Sequence, residues 1–186
     1  LTAEIDAAAR RVLARRGYIL VPLVQAGCCG SLVHHLGKDE QAKAWAKRAI
    51  EAFEREGPFD GVLITATGCS AYLKDLAHLF ADDPVWAPRA AAFAAKTRDF
   101  LDLATPIPGT PKAVRVAWQA PCSLQNGLKL ADAGKVLLKS AGFEVLDIAE
   151  SHLCCGSAGS YSILQPEIAD ELRARKLAHI AAVKPD

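Results

Sequence analysis

The chain has 186 residues, 51% of them hydrophobic, with 22 Lys plus Arg against 21 Asp plus Glu and a formal net charge of +1. That length can bury a substantial core without disulfide staples, and the balanced charge excludes recognition of nucleic acid or an anionic membrane by bulk electrostatics. No signal-like opening or membrane-length apolar run is present, and methionine is absent even from position 1, so the expectation is an excised piece of a longer cytoplasmic protein whose six cysteines stay reduced.

In chain order, Ile5, Ala8, Ala9, Val12 and Leu13 form an apolar stripe at helical spacing. Gly17-Tyr18 closes that helix and opens a short predicted strand, Tyr18 to Val21. A second stripe, Ala42, Trp45, Ala46, Ala49, Ile50 and Phe53, predicts a helix whose Trp45 and Phe53 lie in the core. Val62 to Thr65 reads as a buried strand, and Gly68-Cys69 follows it at the start of a helical stretch. The Pro-rich stretch from Thr105 to Pro111 is the one clear linker. Beyond it, strands are expected at Val114 to Ala117, before Pro121-Cys122, and at Val145 to Ile148, after Gly142-Phe143. Gln165-Pro166-Glu167 marks a helix entry, with proline tolerated and an acid favourable in the first turn, and that helix runs toward Ile180. Glu171 and Arg175, four apart on it, read as a solvated pair.

The pattern is α/β: two pseudo-repeated halves with short parallel strands flanked by helices and cysteines at the strand C-terminal ends. The expected boundaries are 1–104 for the first half, 105–111 for the linker and 112–186 for the second half. Spacing carries the repeat. Asp60 follows Cys28 at the same interval as Asp186 follows Cys154, and Cys154 follows Cys122 at that interval too. The counterparts of Cys69 and Cys122 would then lie past Asp186 and before Leu1, so both halves read as cut at the chain ends.

Cys-Cys-Gly occurs twice, at Cys28-Cys29-Gly30 and Cys154-Cys155-Gly156. Cysteine is scarce, so two adjacent pairs, each closed by glycine, point to soft metal ligation rather than core filling. Each pair, like Cys69 and Cys122, falls between a strand and a helix, where ligands collect in parallel α/β sheets and free N–H groups stabilise thiolates. Glycine after each pair lets the backbone turn sharply near a cofactor. His34, His35, His78 and His152 lie near the cysteines and are read as surface or capping residues before ligands.

The chain resembles the cysteine-rich Cys-Cys-Gly domain family, which includes heterodisulfide reductase subunits and the iron–sulfur subunits of glycolate, glycerol-3-phosphate and lactate oxidising systems. The likeness runs through Ala26 to Gly30, Thr67-Gly68-Cys69, Ala120-Pro121-Cys122-Ser123-Leu124-Gln125, and Cys154 through Ala169, and is strongest to the glycolate-oxidising members. It implies two ligand sets for an iron–sulfur centre, of 4Fe–4S type: Cys28, Cys29 and Cys69, and Cys122, Cys154 and Cys155. It also implies an oxidoreductase subunit without substrate chemistry of its own. Such a subunit would relay electrons from an FAD-containing oxidase partner toward a quinone-type acceptor, with peripheral membrane association through the complex. Two departures from the family pattern stand out. Only Cys69 occurs within Thr67-Gly68-Cys69-Ser70, with no Cys-x-x-Cys, so a four-cysteine site is expected rather than five thiolates. No ferredoxin motif is present, so the chain matches only a C-terminal part, and with three cysteines per set it is expected to purify without iron or with zinc in its place. Two other readings stand beside this one: a thiol redox enzyme using Cys69 as nucleophile, and a structural zinc module.

Overall fold

The computed structural model describes residues 3–186, and they divide into two compact units, the first ending at Ala104 and the second Thr105–Asp186. The fold is α/β. In the first unit, α1 (Ala3–Ala14) buries only Ala9 and Leu13 of its stripe. A 3-10 turn, Val24–Ala26, leads to α2 (Ser31–His35) and the long α3 (Asp39–Glu56). Acidic Asp39 and Glu40 complement the positive end of α3, and Ala42, Ala46, Ala49 and Ile50 recur at helical spacing on its buried face. Next come β1 (Val62–Ile64), α4 (Thr67–Lys74), a 3-10 segment Leu76–Phe80, α5 (Trp86–Lys96), β2 (Thr97–Asp99) and α6 (Phe100–Leu103). β1 and β2 pair in parallel, Val62 opposite Thr97 and Ile64 opposite Asp99.

The core of this unit joins α3, α4 and α5 through Ala46, Ile50, Leu73, Leu76, Phe80 and Phe93. Removing a side chain the size of Phe80 or Phe93 from water contributes about 1.5–3 kcal/mol each. Small alanines on α3 and α5 let those helices approach closely. Arg89 pins the rim, donating to the Glu54 carboxylate at 2.6 and 3.1 Å while its guanidinium lies 3.8 Å from the Trp86 ring centre.

In the second unit, β3 (Arg115–Ala117) pairs in parallel with β4 (Glu144–Leu146) across α7 (Ala133–Ser140). α8 (Tyr161–Leu164) and α9 (Pro166–Ala182) follow. Trp118 packs over Gly134, where a Cβ would collide with its ring, and its Nε1 donates to the Ala131 carbonyl at 3.0 Å. The stretch expected to be a linker lies along this unit: the Gly109 amide donates to the Ser140 carbonyl and Lys112 to that of Gly142, both at 2.8 Å.

Four local expectations change. Tyr18 to Val21 forms no strand; Ile19 is 91% exposed, and Arg10 takes the Leu20 carbonyl as acceptor where a sheet neighbour would. A strand was not expected at Thr97–Asp99, because its sequence, Thr-Arg-Asp, lacks an apolar run. It is buried through hydrogen bonds instead, with the Thr97 hydroxyl on the Phe93 carbonyl at 3.1 Å. Phe53 packs edge-on to Phe93 against the core, but Trp45 is only half-buried. Arg175 pairs with Glu150 rather than with Glu171. Among the described residues, no helix is long and apolar enough to cross a membrane.

Candidate metal centre

In the first unit the Cys28-Cys29-Gly30 turn is held down by α3. The Arg48 Nε donates to the Ala26 carbonyl at 3.2 Å, and its guanidinium covers Gly27 so closely that a Cβ there would collide. Gly30 takes φ +90, a left-handed conformation suited to glycine, and packs on the Ala42 backbone. Cys29 is thereby turned inward against the core, while Cys28 stays exposed.

Cys69 arrives from the other direction. β1 ends at Ile64, Ala66 remains extended as the N-cap of α4, and Cys69 is the third residue of that helix. The next residue fixes it: fully buried Ser70 donates to the Asp99 carboxylate at 2.7 Å, at the end of β2. Asp99 also accepts from the Leu101 amide at 3.0 Å, its own amide donates to Asp102 at 2.8 Å, and Asp102 pairs with Lys74 at 2.5 Å. This chain of polar contacts ties both ends of α4 to the segment that follows β2.

The result is a Cys29 Sγ to Cys69 Sγ distance of 3.0 Å, with Cys29 donating. That is a hydrogen-bonded pair, well beyond the ~2.05 Å of a disulfide. Accepting this proton lowers the Cys69 thiol to about 7, near neutrality. Donating it, and then burial, push Cys29 upward, opposed by the Ser31 amide and by a hydrogen bond from Cys28. Three thiols therefore share one locality and the proton is not evenly distributed among them. Tyr72, one turn beyond Cys69, is raised to about 12 by burial and then by the neighbouring charge of Cys29. Its hydroxyl is buried without a hydrogen-bond partner.

The histidines near this site face other groups. His34 Nδ1 pairs with Asp39 at 2.8 Å, His35 Nε2 meets the Ser31 hydroxyl at 3.2 Å, and exposed His78 pairs with Asp75 at 3.2 Å.

The second unit repeats the address with other fastenings. Cys122 follows β3 and caps a π-helical turn, Ser123–Gly127. Cys154 and Cys155 are partly buried, and the Gly156 amide donates to Cys154 Sγ at 3.4 Å. Gly156, at φ +89, presses on α9 so tightly that a Cβ would sit 2.2 Å from the Ala169 carbonyl oxygen. One acceptor joins the loops that carry the cysteines: the Ser151 carbonyl takes a hydrogen bond from Gln125 at 3.3 Å and from Lys176 at 3.2 Å. Gln125 also holds the Ala120 carbonyl at 2.6 Å, and Lys176, only 3% exposed, holds that of Glu150 at 2.8 Å. Glu150 itself has φ +47, and its carboxylate is clasped by Arg175 and by His179 at 2.7 Å, which lowers it to about 2. A cleft of about 340 Å³ opens beside Cys155, lined by Ser157, Ser162, Asp170 and Arg173. His152 is exposed on this loop.

All six cysteines are free thiols. As the side chains stand, no group of three His, Cys, Asp or Glu among the described residues is already arranged around a metal position. The donor chemistry nonetheless fits a soft, thiolate-bound group. Two sulfurs face each other across one proton, a third thiol, Cys28, hydrogen-bonds to Cys29, and a buried hydroxyl beside the Cys29-Gly30 turn lacks an acceptor. Ser70 and Tyr72 gave no signal in the sequence beyond their places beside Cys69, and Asp99 and Lys176 gave none, whereas Gln125 lies inside the Ala120–Gln125 motif.

A family profile described as "Cysteine-rich domain", abbreviated CCG, matches residues 2–74 and 116–186, one span in each unit. The chain is 35% identical over 193 residues to the glycolate oxidase iron-sulfur subunit of Escherichia coli K12, covering 100% of this chain and 47% of that protein. It is 36% identical over 178 residues to the probable glycolate oxidase iron-sulfur subunit of Bacillus subtilis 168, covering 89% of this chain and 38% of that protein. Lactate utilization protein A of an Exiguobacterium species is 31% identical over 159 residues, 82% of this chain and 64% of the relative. The chain thus spans about half the length, or less, of the two glycolate oxidase relatives. With both spans matched and a Cys-Cys-Gly turn seated in each unit, the chain belongs to the cysteine-rich CCG domain family.

Proposed function

We propose that this chain is the cluster-bearing part of an iron–sulfur oxidoreductase subunit, serving a flavin-linked 2-hydroxy-acid oxidising complex of the glycolate type. The observation that carries the reading is the 3.0 Å approach of Cys29 and Cys69, two thiols 40 residues apart in sequence brought together beside the end of β1. The names of the relatives supply the substrate class and the iron–sulfur cofactor, and the resemblance of the cysteine motifs to the family supplies the ligand sets. Cys28, Cys29 and Cys69 would hold one iron–sulfur centre and Cys122, Cys154 and Cys155 the other, each of 4Fe–4S type. A bound centre of this kind supplies reversible one-electron transfer.

The chain's own residues do the rest. Cys69, with its thiol near neutrality, offers a thiolate at little cost, and the Ser31 and Gly156 amides donate toward sulfur, which favours the anionic form. The Arg48 contact and the Ser70–Asp99 contact fix the two sides of the first site, so electron transfer requires little rearrangement of the ligands. An FAD-containing partner would carry out the hydride chemistry, and a quinone-type acceptor would take the electrons, with the complex peripheral at the cytoplasmic face of the membrane.

The test is electron relay. The chain, reconstituted anaerobically with iron and sulfide, should bleach when mixed with a reduced flavoprotein of the glycolate-oxidising type and recover when a soluble quinone is added. Bleaching by dithionite alone, with no response to flavoprotein or quinone, would reject the relay while leaving a metal site standing.

A further inference from the structure

The Tyr72 hydroxyl is the one buried side-chain N or O atom among the described residues that has no hydrogen-bond partner. Natural proteins rarely leave such a group unsatisfied, because burial removes its water and nothing replaces it. The polar groups around it are paired with one another. The ring packs against His34, with centroids 5.5 Å apart, but His34 Nδ1 is taken by Asp39. The Ser31 hydroxyl is engaged with His35, and the Gly30 carbonyl already accepts from the His34 amide at 3.0 Å. What the hydroxyl does face is the Cys29-Gly30 turn: a Cβ placed on Gly30 would touch it at 3.6 Å. It also stands on α4 one turn from Cys69, on the same helix as that ligand.

We propose that the Tyr72 hydroxyl donates a hydrogen bond to sulfur of the centre held by Cys28, Cys29 and Cys69 and thereby raises its reduction potential. The inference rests on the cluster-binding reading above and adds a tuning residue to it. Its direction follows from charge. Reduction adds an electron to sulfur-rich, anionic surroundings, and a donor pointed at that sulfur stabilises the reduced form more than the oxidised one. Tyr72 is a positioning and tuning residue here, with no part in ligation.

Tyr72→Phe removes the hydroxyl and keeps the ring against His34. The full chain carrying Cys122→Ser, Cys154→Ser and Cys155→Ser, so that only the first site can load, is reconstituted anaerobically with and without Tyr72→Phe, and both are titrated spectroelectrochemically. The expected result is equal iron per chain and a lower potential in the phenylalanine variant. The reduced-to-oxidised ratio at fixed potential should fall roughly tenfold, about 59 mV for one electron. Equal iron with an unchanged or higher potential overturns the inference, and so does a folded variant that no longer takes iron, since the hydroxyl would then serve assembly. A parent that takes no iron overturns the cluster-binding reading itself and the inference with it. A second measurement needs no metal: thermal unfolding of the metal-free chain should be unchanged or shifted upward by Tyr72→Phe. A clear fall in Tm would reveal a partner for the hydroxyl within the chain and overturn the proposal.

Discussion

Replacing Cys29 by alanine in the metal-free protein removes the proton donor that makes Cys69 acidic. Cys69 should then return from about 7 toward 9.0, the ordinary value for a thiol. At pH 7 a thiol at 7 is about half ionised and one at 9 about one hundredth, so the thiolate population falls about fiftyfold. Reactivity falls less, because the more basic thiolate is intrinsically the better nucleophile. With a Brønsted slope of about 0.4–0.5, a two-unit rise returns about eightfold, leaving a net loss of about sixfold. Cys69 is only half-buried and solvent screens part of the effect, so a shift half as large, with about a twofold loss, is the lower bound. The assay is pulsed iodoacetamide alkylation across pH 5–10, with Cys69 quantified by peptide mass spectrometry. The native chain should react faster at pH 7 and the Cys29→Ala variant faster above pH 9, with the two profiles crossing between. Superimposable profiles would show that the sulfur–sulfur contact does not govern Cys69.

Other perturbations test the fastenings. Gly156→Ala places a Cβ against the Ala169 carbonyl at a positive φ and should destabilise the protein by about 1–3 kcal/mol in urea unfolding, with an unchanged m-value. Lys176→Met removes the donor to the Glu150 carbonyl and one of the two donors to the Ser151 carbonyl, at a cost of about 1–3 kcal/mol. It should also reduce iron uptake by a chain in which Cys28, Cys29 and Cys69 are serine. Ser70→Ala leaves a buried Asp99 oxygen without its donor and should lower Tm by several degrees, whereas an unchanged Tm would remove that contact from the account. Glu150 is held well below the usual carboxylate range, at about 2, by Arg175 and then His179. A depressed folded-state value contributes stability above the unfolded value of 4.5 and loses it as pH falls from there toward 2. Tm should therefore drop more steeply across that window in the native chain than in Glu150→Gln.

Much of the frame was legible because it is written in periodicity and scarcity. Helical stripes marked α1 and α3, and Pro166 marked the start of α9, since apolar spacing and proline chemistry are local properties. The cysteines stood out by number and repetition. What stayed hidden depends on partners distant in sequence. Thr97-Arg98-Asp99 is held as a buried strand in part by Ser70, which donates to the Asp99 carboxylate from 29 residues away, a partner that no window around residue 98 contains. Tyr18 to Val21 has the composition of a strand but no edge to pair with, and Ile19 ends in solvent. Glu150 drew Arg175 away from Glu171 because a left-handed turn brings its carboxylate to the α9 surface. Lys176 reads as a surface lysine until the fold buries it against two carbonyls.

The central claim is that each cysteine triple is a ligand set, and counting iron and acid-labile sulfide per chain after anaerobic reconstitution tests it most directly. The native chain should take up both. Serine at 28, 29 and 69 should remove the first unit's share, serine at 122, 154 and 155 the second's, and all six together should leave none. Equal iron and sulfide in the native and six-serine chains would contradict the account.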